Sequence, residues 1–115
     1  CGWEFGNRIC YPAQEIERQF PVGHVVYEAY RHFASMPHHR PCWDLISAWV
    51  AVYPSTHELQ QSPTGTVRVF DEGHVAFSKS LNGRHTYLTA SDCECDSLRD
   101  RFVLNIAKYT KTVPM

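Results

Sequence analysis

Five cysteines in 115 residues constrain this chain more than any other feature, because they gather near its two ends: Cys1 and Cys10 against Cys93 and Cys95, with Cys42 alone between them. So high a count in so short a chain reads as an oxidised, extracellular protein, and Cys1, Cys10, Cys93 and Cys95 are the candidates for disulfides. The chain starts on Cys1, as a mature protein does once a signal peptide is removed, so secretion is expected. The length suits a single domain over 1–115, with room for one core. Hydrophobic residues at 43% and charged ones at 20% exclude a disordered tail. A net charge of -1 leaves no global basic field for a polyanion, so any RNA binding is expected to be local and weak. The longest apolar run, Leu45 to Tyr53, is too short to cross a bilayer, and no membrane role is expected.

Periodicity then divides the chain. Trp3 and Phe5 before Gly6-Asn7, with Ile9 and Tyr11 after it, suit an N-terminal β-hairpin. From Pro12 the spacing turns helical: Ile16 and Phe20 share a face, and Val26, Tyr30 and Phe33 share another beyond Pro21 and Gly23. One kinked helix over about 12–35 is predicted. Trp43 to Tyr53 is apolar, β-branched and aromatic, closed by Pro54, and reads as a central strand. After a polar loop over 55–65, residues 66–70, 75–80 and 85–89 read as strands joined by turns at Asp71-Glu72-Gly73 and Asn82-Gly83. The fold class is therefore α+β, a helix packed on a central antiparallel sheet. Leu98, Phe102, Ile106 and Tyr109 suit a helix near the C-terminus, followed by an extended end.

Seven histidines invite a metal or a catalytic reading. Adjacent residues point apart, so His38-His39 does not make a metal pair, and Cys93-Glu94-Cys95 is too tight for zinc; no metal and no cofactor are expected. No Gly-x-Ser-x-Gly elbow or familiar catalytic-cysteine context is present. Metal-free RNA cleavage needs a base, an acid and a cation over the phosphate, roles suited to Glu, His and Arg. Trp43, Trp49, Tyr53 and Phe70 lie in apolar runs and are assigned to the core rather than to base stacking.

A set of short motifs bears on that chemistry. Cys10-Tyr11 before a helix, Met36-Pro37-His38, Val52-Tyr53-Pro54 and Ser62-Pro63-Thr64-Gly65-Thr66-Val67-Arg68-Val69-Phe70, with a hairpin closing on Cys93, resemble in order the fungal guanyl-specific ribonucleases over about residues 1–95. The resemblance implies a ribonuclease-like fold, and carrying over its catalytic set implies that the set is broken. The first histidine falls on His38. The catalytic glutamate falls on Val52 and the phosphate-binding arginine on Val67, while the second histidine has no counterpart in Ser78-Lys79-Ser80-Leu81. Arg68 faces the opposite side of a strand from position 67. A pseudo-ribonuclease with a vestigial His38 is expected.

A secreted ribonuclease scaffold without its catalytic set is similar to the RNase-like effectors of powdery mildew fungi, avirulence proteins among them. That family has an aromatic-x-Cys motif and a disulfide tying the chain ends; Trp3-Glu4-Phe5 stands at the motif without its cysteine, leaving open whether Cys1 or Cys10 reaches Cys93 or Cys95. The resemblance implies translocation into a plant cell and binding to a host protein or RNA, with recognition by an intracellular immune receptor. Residues 96–115 extend beyond the scaffold and are read as a packed edge. Exposed loops are the expected contact surface, with His57, Glu58, Gln60, Asp71, Glu72, His74, Arg84 and His85 as candidates, on a monomer. Two other readings stay open: an active ribonuclease built around His38, His39, Arg40 and Arg68, and a small cysteine-rich effector of another fold.

Overall fold

Helical spacing and strand alternation coexist in the computed structural model, which describes residues 1–112 and their side chains as far as Thr110. In chain order the elements are α1 (Trp3–Gly6), β1 (Cys10–Tyr11), α2 (Ala13–Gln19), α3 (Val25–Phe33), β2 (Arg40–Pro41), α4 (Trp43–Val52), β3 (Gln60–Gln61), β4 (Gly65–Val69), β5 (Val75–Lys79), β6 (Leu88–Thr89) and α5 (Asp92–Thr112). The class is α+β. The strands form three antiparallel pairs, β1 with β2, β3 with β6 and β4 with β5, in place of the single central sheet expected.

The expected N-terminal hairpin is instead a single helical turn. Gly6 serves close packing rather than a hairpin turn: a Cβ there would lie 1.8 Å from the Trp43 ring, whose indole N–H donates to the Trp3 carbonyl at 3.0 Å. Cys10-Tyr11 then pairs with Arg40-Pro41, not with the first five residues. The predicted kinked helix is two helices, α2 and α3, because Pro21 and Gly23, the latter at φ 92°, break it fully.

The largest departure is α4, where a central strand was expected. An apolar run cannot be assigned by composition alone, and ten residues are long for a strand but ample for a helix. Wound helically, Trp43, Ile46, Trp49 and Val50 fall on one side, and Ile46 is completely buried. Asp44 sits in the first turn, where the helix dipole favours an acid. Of the four aromatics assigned to the core, Trp49 packs against it, meeting Phe102 edge-on at 5.5 Å, Trp43 and Phe70 are half-buried, and Tyr53 is half-exposed.

At the other end α5 is a core helix rather than a packed edge. Cys95, Leu98 and Phe102 recur at helical spacing and are buried with Phe5, Ile9, Tyr11, Ile16, Phe20 and Ile46. Its start is set by a capping box: the Ser91 hydroxyl accepts from the Glu94 amide at 3.3 Å, and the Glu94 carboxylate accepts from the Ser91 amide at 2.7 Å. The extended end predicted after this helix falls outside the described residues.

The β4–β5 hairpin stands apart from this core. With α5, which at 21 residues is about 31 Å long, it stretches the molecule to 49 × 34 × 25 Å and a radius of gyration of 16.6 Å, against about 13 Å for a compact chain of this length. The loop after β5 folds back so that Gly83 meets Gly65, where a Cβ would approach the Gly65 carbonyl oxygen to 2.1 Å. Gly65 in turn exchanges both backbone hydrogen bonds with His85, at 2.9 and 3.0 Å.

Candidate functional site

The positions that carry the ribonuclease resemblance lie on separate elements. His38 follows α3, and its Nε2 bonds the Tyr30 carbonyl at 2.9 Å while its ring stacks on Tyr30 at 5.3 Å and tilts against Phe33 at 5.9 Å. Val52 ends α4 and is exposed; Val67 lies in β4, paired with Phe77. Arg68 is on the opposite face of the hairpin, its guanidinium 4.7 Å from the Phe70 ring centroid. None of Val52, Val67 and the Ser78 to Leu81 stretch supplies a carboxylate, an imidazole or a guanidinium at the carried-over position.

Most of the histidines do structural work. His24 Nδ1 accepts from the Val26 amide at 3.1 Å and caps α3; His39 Nδ1 accepts from the Ala13 amide at 3.0 Å at the start of α2. His85 Nδ1 accepts from the Val67 amide at 2.9 Å, and His32 Nδ1 bonds the Glu28 carbonyl at 2.8 Å. Arg40 is likewise held by an aromatic face, 4.0 Å from the Phe33 centroid. Of the cluster proposed for a rearranged nuclease, His38 and Arg40 meet the same Phe33 ring, His39 caps α2, and Arg68 lies on the β4–β5 hairpin.

The loop candidates do not form one surface. Asp71, Glu72 and His74 sit at the hairpin tip, Arg84 and His85 at its base, all exposed. His57 is exposed, but Glu58 is buried at 6% exposure, contrary to its assignment as a contact residue. Its carboxylate accepts from the Thr56 hydroxyl and pairs with Arg101 Nε at 2.6 Å, fastening the 55–59 loop to α5. The Thr56 hydroxyl, with the Arg101 charge behind it, holds the carboxyl below the usual range. Gln60 reaches across to Glu94 at 3.0 Å.

All five cysteines are thiols in this structure. Cys42, which looked solitary in the sequence, lies beside Cys10, because β1 pairs Cys10 with Pro41. Burial pushes the Cys42 thiol up to about 11, with the Cys10 charge adding to it, so it is a poor nucleophile. Cys1 and Cys93 are exposed, and Cys95 is buried on the inner face of α5.

What the sequence did not signal is an open groove of about 980 Å³ between α3, the start of α4 and the far end of α5. Phe20, Val26, Tyr30, Trp43 and Leu45 line it, with Arg40 and Asp44 supplying opposite charges. Its walls come from segments distant in sequence, and it exists only because 43–52 is helical. No family model matches this chain, and neither a curated protein nor a solved structure matches it. Among the described residues no group of three His, Cys, Asp or Glu side chains comes together, and no helix is long and apolar enough to cross a membrane. Chemically the groove can accept an apolar segment and orient it through two charges.

Proposed function

We propose that this protein is a non-catalytic binding module, a secreted effector that engages a host plant protein through the groove between α3, α4 and α5. The groove carries the reading: it is open, aromatic-walled and of a size that accepts several apolar side chains, with Arg40 and Asp44 placed to select a partner's charges. The occupation of His38 by its Tyr30 and Phe33 contacts, and the valines at 52 and 67, support loss of ribonuclease chemistry. The ribonuclease-like ancestry and the delivery into a host cell rest on the motif order from Cys10-Tyr11 to Phe70, together with a helical segment preceding the β4–β5 hairpin. A net charge of -1 favours a protein over an RNA partner.

Purified protein incubated with total RNA is expected to leave it intact; loss of substrate that disappears in His38→Ala overturns the non-catalytic reading. For the groove, the paired changes Val25→Arg and Leu45→Arg are expected to abolish co-purification of the plant protein held by the wild type. Val52→Arg, exposed on α4 but outside the groove, is expected to retain it. Equal capture by all three proteins would remove the groove as the contact surface.

A further inference from the structure

The β4–β5 hairpin is an amphipathic sheet whose apolar side is left uncovered over its outer half. Its register places Val67 opposite Phe77 and Val69 opposite Val75, so these four side chains share one face, with Gly65 and Lys79 at its base. Thr66, Arg68, Ala76 and Ser78 occupy the other face. A hairpin of this pattern ordinarily lays its apolar face on the core. Here Val69 and Val75 are 67% and 64% exposed, and the core cluster contains no residue of either strand. Phe77 leans over Gly65 and meets Tyr87 edge-on at 4.9 Å, which stiffens the base of the face but leaves its outer half uncovered.

Charge identifies what covers it. The tip carries Asp71 and Glu72, and the base carries Lys79 and, in the loop behind it, Arg84. Among the described residues none of these four takes part in an ion pair. An apolar strip with acids at one end and bases at the other complements itself when two copies stack head to tail. A two-fold axis through the middle of the face then sets each acidic tip against the other copy's basic base, forming both charged contacts at once. Parallel stacking would oppose like charges and is disfavoured. Pairing at the β4 edge is blocked near Gly65 and Val67, whose backbone groups are already used by His85, and the acidic Asp71 and Glu72 at the tip disfavour a polyanion such as a nucleic acid.

We propose that two copies of this chain associate through the apolar faces of their β4–β5 hairpins, antiparallel about a two-fold axis, in place of the monomer expected from the sequence. Two sheets so stacked lie about 10 Å apart. The face is small beside the roughly 800 Å² per partner of a stable interface, so the pair is weak and concentration-dependent. The proposal is independent of the groove, which lies on the helical body.

Sedimentation velocity from about 1 to 500 µM, at low ionic strength, tests it. The apparent mass is expected to rise from one chain towards two with concentration, and added salt to reverse the rise. Val69→Lys with Val75→Lys is expected to hold the mass at one chain. Asp71→Lys with Glu72→Lys, and separately Lys79→Glu with Arg84→Glu, are each expected to weaken association at least about ten-fold. All four reversals together are expected to restore it, an outcome that simple misfolding cannot produce. A single-chain mass at every concentration overturns the proposal. So does association that the two charge reversals leave unchanged, or that the fourfold reversal fails to restore.

Discussion

The helical body and the β4–β5 hairpin both carry strong hydrophobic patterns, yet one is a core and the other an uncovered arm. In the body, Ile46, Leu98 and Phe102 come from α4 and α5 and lock together with Ile9 and Ile16. In the hairpin, Val67, Val69, Val75 and Phe77 alternate as cleanly, but apart from the Phe77–Tyr87 contact they meet no second layer among the described residues. Alternation therefore specifies which side of a strand is apolar, and only topology decides whether that side is buried. The same hydrophobic residue should thus have very different energetic weight in the two regions.

Paired truncations break or sharpen that contrast, and the effect expected is the largest here. Leu98→Ala, at a fully buried site, is expected to cost about 2–5 kcal/mol of stability through lost burial and a cavity. Val69→Ala, mostly exposed, should stay within about 0.5 kcal/mol when measured at concentrations where the chain is single. Urea midpoints with unchanged slopes would report both. A cost at Val69 matching that at Leu98 would mean the hairpin face is buried within one chain.

The hairpin was also the most legible part of the fold. Strands predicted at 66–70 and 75–80 appear at 65–69 and 75–79, because the β-branched alternation and the Asp71-Glu72-Gly73 turn are local signals, with Gly73 at φ 90°. The body was harder to read. Trp43 to Val52 carries strand-forming residues, and its helix is stabilised by contacts with Gly6 and α5 that no local pattern reveals. The groove was illegible for the same reason, since its walls join α3 to residues near 106 and 110. One local sign runs against a hairpin closing on Cys93: Ser91-x-x-Glu94 is a capping-box pattern that announces a helix start there.

That sign supports the next prediction, which is smaller. Ser91→Ala removes the hydroxyl that accepts from the Glu94 amide, and is expected to cost about 1 kcal/mol. Because α5 supplies Cys95, Leu98 and Phe102 to the core, the loss should appear in global stability rather than as fraying alone. Hydrogen exchange that rises only at residues 92–95, with no change in the urea midpoint, would show that the first turn of α5 opens independently of the core.

The smallest effect concerns how the 55–59 loop is attached to that helix. Glu58 has its carboxyl pKa lowered, first by the Thr56 hydroxyl and also by Arg101. A group whose folded pKa lies below its unfolded value contributes fully above the unfolded value, about 4.3 for Glu, and loses that contribution as pH falls through the folded value. Unfolding midpoints should therefore decline below about pH 4.3 more steeply for the wild type than for Glu58→Gln. Glu28 and Glu94 are lowered as well, by Arg31 and by the Ser91 amide respectively, so the variant keeps part of the slope. Identical acid limbs for the two proteins would mean that the Thr56 hydroxyl and Arg101, the latter more than half exposed, hold Glu58 no better than water does. The loop would then be fastened by packing of Leu59 and by the hydrogen bond from the Trp49 indole to the Thr56 hydroxyl.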